Sequence, residues 1–231
     1  MLTIMEYEIT NAIIVSDLHI GLLHFRRREF LDLVEPLDRD TTLILNGDTL
    51  DNPNKQLSRQ DQDVLNFIRE QSYVRTVIWL HGNHDDGYRM QKPGMIRFQR
   101  HLQIGNRLLI VHGDDFDQIM PQNQWFLRNV KRIHNLRVKL GAPPVHAAEF
   151  AKTWFPFLYR ILTEEVKNNA VKCAIQNGVA AITCGHTHYA EDSLCEGVRY
   201  INTGAWTELP LCYILVAEQT IDFIIGHHLV E

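Results

Sequence analysis

Five short apolar runs, each ending in oxygen or imidazole side chains, constrain this chain more than any other feature. Ala12-Ile13-Ile14-Val15 runs into Asp17 and His19, and Leu43-Ile44-Leu45-Asn46-Gly47 runs into Asp48. Val77-Ile78-Trp79-Leu80 precedes Asn83 and His84, Leu108-Leu109-Ile110-Val111 precedes His112, and Ala180-Ala181-Ile182-Thr183 precedes His186 and His188. Runs of this length and composition, closed by turn residues, read as strands buried on both faces. Side chains at such strand ends sit on rigid scaffold at the mouth of a sheet, where open α/β proteins hold their ligands. A single Gly-Asp would prove nothing, because it ends many strands. Repetition at five strand ends points to one shared site, with Asp48 at its centre between two metals.

Helical signals alternate with these strands in the first half, which makes the fold class α/β. The pattern predicts a helix from about His24 to Glu35, ended by Pro36, and another from about Ser58 to Gln71 with Ser58 and Asp61 in its first turn. The stretch from about 116 to 177 shows no clear strand and reads as a helical insertion over the site. One helix is expected from Gln122 to Leu140, with Phe126, Val130, Ile133, Leu136 and Leu140 on one face and Arg128, Lys131, Arg132 and Lys139 opposite. A second is expected from about Val145, stopped or kinked at Pro156, and a third from about Thr163 to Asn177, ended by Gly178. Strands then follow at Val179 to Thr183, Val198 to Asn202, Leu211 to Ala217 and Thr220 to Ile225. Their close succession suggests the second sheet of a layered sandwich.

The chain of 231 residues is long enough for one full α/β domain over 1–231, with the insertion inside it. A net charge of -5 argues against a nucleic-acid grip across the surface. The four cysteines have no Cys-x-x-Cys spacing, which fits reduced thiols. Glu6 and Glu8 near the start, with no basic segment ahead of an apolar run, do not read as a secretory signal, and no run approaches about 20 apolar residues. The expectation is a cytoplasmic protein, with peripheral contact to the inner face of a membrane left open. His24, His101, His134, His146, His227 and His228 fall outside the five blocks and read as structural or surface residues.

Asp, Asn and His together suit divalent ions of intermediate softness: manganese for preference, with iron, zinc, cobalt or magnesium as alternatives. No thiolate joins the set, so a Cys-type structural zinc cage is excluded. A carboxylate shared by two ions holds them about 3.5–4 Å apart, the spacing of two-metal hydrolases. If Asn83 binds metal, His84 next to it can point at substrate as a general acid or charge stabiliser. Asp85 or Asp51 is placed to orient its ring.

Ser16-Asp17-Leu18-His19, Gly47-Asp48, Gly82-Asn83-His84-Asp85, His112-Gly113-Asp114 and Gly185-His186-Thr187-His188 resemble, in order, the five blocks of the calcineurin-like metallophosphoesterases. The resemblance implies a four-layer α/β/β/α sandwich and a dinuclear site. By position, one metal would take Asp17, His19, Asp48 and His188, the other Asp48, Asn83, His112 and His186. His84 would take the family's histidine role near the leaving group. His112 to Asp117, the insertion, and Asn202-Thr203-Gly204-Ala205-Trp206 look closest to the UDP-diacylglucosamine pyrophosphatase group, whose helical cap holds acyl chains. That group carries Arg where this chain has His84, which leaves the substrate open. The implied partner is a phosphorylated small molecule or a lipid-linked diphosphate, reached through a cap that could also touch a membrane. Phosphodiesterase or phosphomonoesterase activity on a different substrate is the alternative. A non-catalytic scaffold on the same fold is the alternative of another class.

Overall fold

The computed structural model describes residues 5–122, 124–142, 145 and 147–226. Among the residues discussed above, His146, His227 and His228 lie outside this set, as do the side chains of Phe126, Val130 and Lys131. The chain opens with β1 (Met5–Tyr7), β2 (Ala12–Val15), α1 (Arg27–Val34), β3 (Thr42–Asn46), α2 (Arg59–Gln71) and β4 (Val77–Leu80). Three short strands follow: β5 (Arg97–Gln99), β6 (His101–Ile104) and β7 (Leu108–Val111). After a 3-10 turn come α3 (Ile119–Gln122), α4 (Gln124–Lys139), α5 (Ala147–Trp154) and α6 (Pro156–Gln176). The chain closes with β8 (Ala181–Cys184), β9 (Glu191–Cys195), β10 (Val198–Asn202), β11 (Leu211–Val216) and β12 (Ile221–Gly226).

The strands form two six-stranded sheets, ordered β12-β11-β2-β3-β4-β5 and β1-β6-β7-β8-β10-β9. Each apolar run of the first kind feeds both faces of its sheet. Ile13, Val15, Leu43, Leu45 and Trp79 pack outward on Phe30 and Val34 of α1 and on Val64 and Ile68 of α2. Their neighbours Ile14, Ile44, Ile78 and Leu80 face Leu102, Leu108, Ile110 and Ile201 of the other sheet. Leu109, Val111, Ile182 and Tyr200 turn the other way, onto Ala170, Val171 and Ala174 of α6. The layers therefore run helix, sheet, sheet, helix, which is the expected sandwich. Burial on two faces explains why these strands lack polar alternation.

Two expectations change. The four C-terminal strands do not share a sheet: β8 to β10 join β7, whereas β11 and β12 complete the sheet of β2. Strand-to-strand choice over such distances is not written in local composition. Pro156 ends α5 but opens α6, occupying the first helical position, where its missing N–H costs nothing. The last helix thus begins seven residues before Thr163. On α4, Ile133 and Leu136 of the apolar face are exposed, as is Leu140 just beyond its end. Strands β5, β6 and β9 were not legible, because they are short and edge-like with polar residues facing out. Helix α1 starts at Arg27 rather than His24, since Arg26 is held outside it by its N–H to the Trp206 carbonyl. Ser58 caps α2 as expected, accepting from Asp61 N at 3.1 Å.

Candidate metal centre

Adjacent parallel strands β2, β3 and β4 deliver Asp17, His19, Asp48, Asn83 and His84 from one sheet, and adjacent parallel β7 and β8 deliver His112, His186 and His188 from the other. The two sheets are stitched at this end. Asn46 Nδ2 donates to the Val111 carbonyl at 3.1 Å, and the Asn46 carbonyl accepts from His112 Nδ1 at 3.0 Å. Asp17 takes the His186 backbone N–H on both carboxylate oxygens at 3.2 Å. Residues far apart in the chain therefore share one point in space.

The strand ends turn in an unusual way. Among the described residues, six non-glycine residues have positive φ, and five of them are Asp17, His19, Asp48, His186 and His188, at 48° to 60°. Left-handed backbone is uncommon outside glycine and costs about 1–3 kcal/mol when sustained. It persists at these residues because neighbouring loops hold it: Asp17 N bonds the Gly47 carbonyl at 3.1 Å and His19 N the Asp48 carbonyl at 2.9 Å. In the pairs 17/19 and 186/188, alternate left-handed residues turn both side chains to the same side. Two glycines allow the loops to close. A Cβ on Gly47 would lie 2.3 Å from His112 Nδ1, and one on Gly82 would lie 2.2 Å from Asp48 Oδ1.

Asp48 is at the centre. Its Oδ1 accepts the His84 backbone N–H at 2.8 Å. Its Oδ2 is faced by His112 Nε2 at 3.3 Å, His19 Nε2 at 3.9 Å and His84 Nε2 at 4.0 Å. On one flank His188 Nε2 lies 3.2 Å from Asp17 Oδ1 and 3.1 Å from His19 Nε2. On the other, His186 Nδ1 lies 3.0 Å from Asn83 Oδ1, and the His112 and His186 rings are 5.5 Å apart. Ligand atoms of Asp17, His19 and His188, and again of Asp17, Asp48 and His112, all lie within 4.8 Å of one another. The buried His112 Nε2 makes no well-aligned hydrogen bond and faces Asp48 Oδ2 at 3.3 Å, which leaves it available to a cation. Nδ1–H donates to the Asn46 carbonyl, so Nε2 is the nitrogen turned to the cluster. The donor set fits divalent metal.

The electrostatics agree. Burial alone would push the Asp17 and Asp48 carboxyls up, but His112 beside both holds them below the usual carboxylate range. Burial pulls His188 down to about 4, leaving it neutral and able to ligate. His112 and His19 also lose from burial, yet the surrounding carboxylates raise both, and His112 well above its ordinary value.

His84 is placed as expected beside the cluster, with Nδ1 2.8 Å from the Asp51 backbone carbonyl and its ring edge-on to His19 at 4.9 Å. Asp51, not Asp85, orients it. Asp85 is buried behind the loop, where it accepts from Gly82 N at 2.8 Å, Thr49 N at 2.9 Å and Trp79 Nε1 at 3.0 Å. Asp114 pairs with Arg100 at 2.5 Å. Arg26, Arg27 and Arg28 pair with Glu29, Asp61 and Asp32 rather than pointing into the site. Sequence reasoning missed Asn46, Asn202 and Asp117. Asn202 Nδ2 donates to the Gly185 carbonyl at 2.7 Å, and Asp117 Oδ2 lies 2.8 Å from His186 Nε2. A polar residue closing an apolar strand, as Asn46 and Asn202 both do, was the available signal.

Comparison with known proteins follows this geometry. Residues 10–190 match the model of the calcineurin-like phosphoesterase family. Among proteins of curated function none matches significantly. The fold is similar to that of a cold-active protein tyrosine phosphatase, at 13% identity over 97% of this chain and 80% of that one, with a TM-score of 0.52. YfcE, a phosphoesterase from E. coli, matches at 15% identity over 93% of this chain and 98% of its own, with a TM-score of 0.44. Vps29 from Entamoeba histolytica matches at 13% identity over 94% and 99%, with a TM-score of 0.46.

Proposed function

Because the chain belongs to the calcineurin-like phosphoesterase family, we propose that it hydrolyses a phosphoester or diphosphate bond at a dinuclear centre built from the seven residues above. Asp17, His19, Asp48 and His188 would hold one cation, and Asp48, Asn83, His112 and His186 the second. The observation that carries this is the single oxygen Asp48 Oδ2, faced by imidazole nitrogens from both sheets. When bound, two divalent ions supply Lewis-acid polarisation of a phosphoryl oxygen and a water acidic enough to attack phosphorus near neutral pH. The protein's own part is to fix geometry in advance, which the stitched loops and left-handed strand ends do. His84 keeps its Nδ1 proton on the Asp51 carbonyl, so Nε2 faces the transferring group and can accept or share a proton there.

The substrate we favour is a lipid-linked diphosphate. Trp154, Phe157, Leu158 and Ile161 lie exposed around the junction of α5 and α6, and Leu23, Tyr189 and Leu209 are exposed in loops that flank the ligand residues. Exposed Arg128, Arg132 and Lys139 on α4 add positive charge to the same insertion. Apolar surface next to a phosphate-cleaving centre suits an amphiphile, and its basic border suits an anionic headgroup. Among the described residues no helix is long and apolar enough to cross a membrane; the contact with lipid proposed here is a peripheral one through the insertion. His84 in place of the pyrophosphatase group's arginine removes a fixed charge and favours a substrate that needs less neutralisation at that point.

A panel of UDP-linked lipids, cyclic nucleotides and aryl phosphates, assayed with manganese, tests this. The expected result is cleavage of the lipid diphosphate well above the water-soluble substrates. Preference for a cyclic nucleotide would replace the lipid reading with phosphodiesterase activity. Fewer than about one metal per chain and no hydrolysis would favour a scaffold.

A further inference from the structure

Three successive residues of the loop between β8 and β9 are each gripped from a different part of the helical insertion. His186 is held by Asp117, whose carboxylate has two tasks: Oδ2 lies 2.8 Å from His186 Nε2, while Oδ1 accepts the N–H groups of Ile119 and Met120, each at 2.9 Å, and so starts α3. The carbonyl of Thr187 accepts from the hydroxyl of Tyr159 on α6. The carbonyl of His188 accepts from Lys152 on α5, whose ammonium also meets Glu208 at 2.5 Å. The same Glu208 oxygen lies 3.8 Å from His188 Nδ1.

The geometry points to a clamp: Asp117, Tyr159 and Lys152 are positioning residues through which docking of the insertion and assembly of the metal centre become one coupled equilibrium. This rests on the reading of His186 and His188 as metal ligands. The physical grounds are two. His186 and His188 have φ of 60° and 54°, a backbone state that lasts only where surroundings fix it, and the gripped carbonyls belong to the peptide planes that define it. An acceptor on the far nitrogen of a ligating imidazole also fixes its tautomer and strengthens it as a donor. Coupling of this sort is reciprocal: whatever docking contributes to metal affinity, metal returns to docking. The insertion would then report on the centre it covers.

The test uses the metal-stripped full chain and manganese alone, with binding followed by calorimetry. Wild type should bind two ions. Asp117→Asn should weaken the affected site by about 10–100-fold, as loss of an outer-shell partner does, and Asp117→Glu should recover part of it. Tyr159→Phe and Lys152→Met should each weaken binding several-fold. In wild type, manganese should slow tryptic cutting at Arg132 and Lys139 of α4, and in the three disruptive variants this protection should shrink. Two-ion binding within twofold of wild type in all three, or cutting indifferent to manganese in wild type, would overturn the clamp while leaving the metal centre standing. Failure of wild type to bind any ion would overturn both. If Asp117→Asn does not fold by circular dichroism, Tyr159→Phe, which removes one oxygen, decides alone.

Discussion

The strand ends and the helical insertion bury apolar residues in opposite ways. Ile13, Ile14, Leu43, Ile44, Ile78 and Ile110 are fully buried between layers, whereas Ile133 and Leu136 of α4, Leu140 just after it and Phe157 of α6 are largely exposed. Even α6 divides along its length: Val166, Ala170, Val171 and Ala174 cover a sheet, and Phe157, Leu158 and Ile161 extend past it. The same residue types therefore do different work. In the first region they hold five ligand loops rigid. In the second they are free to meet something apolar, while a few polar contacts tie the insertion to the loops.

The largest effect expected from breaking this contrast is at its centre. Asp48→Ala should lower manganese-dependent hydrolysis of an aryl phosphodiester by about 10³-fold or more, because its Oδ2 is faced by His19, His84 and His112 together. Metal content by elemental analysis should fall with it. His84→Ala should cost about 10²–10⁴-fold in turnover and leave metal content unchanged, since the seven other residues supply both candidate ligand sets without it. Unchanged turnover would remove His84 from the chemistry.

Stability should separate the two regions more directly. Ile110→Ala leaves a cavity between two sheets and should cost about 2–5 kcal/mol in denaturant unfolding. Leu136→Ser on exposed α4 should stay within about 0.5 kcal/mol. Equal losses would mean that the insertion's apolar face is covered after all.

The smallest expected effect is on pH dependence. Burial lowers His112, but Asp48 and Asp17 raise it well above its ordinary 6.5. The stability this confers on metal-free protein is fully present below about pH 6.5 and is lost as pH rises through the raised folded-state value. The melting temperature of metal-free protein should therefore decline by a few degrees as pH rises above about 6.5. Manganese must displace the same proton, so calorimetry in buffers of different ionisation heat should show proton release, with apparent affinity rising with pH.

How much was legible follows from the same contrast. The runs ending at Val15, Leu80 and Val111 announced themselves because two-sided burial leaves no polar residue to interrupt them. The seven candidate ligand residues stood out as polar types repeated at the ends of those runs, and the structure brings them together with His84. His101-Leu102-Gln103-Ile104 was overlooked because one face of that strand carries polar residues. The role of Asp117 was not readable, since its partner His186 is 69 residues away.

Local composition by itself determined where the central strands lie, that both of their faces are buried, and which side chains end them. Those properties depend on each residue's own hydrophobicity and its immediate neighbours. Only tertiary structure decided that β11 and β12 rejoin the sheet of β2, that Asp51 rather than Asp85 holds His84, and that Lys152 and Tyr159 reach the carbonyls of His188 and Thr187. Each of those outcomes depends on distances between remote parts of the chain, which packing of the four layers sets and no short window of sequence contains.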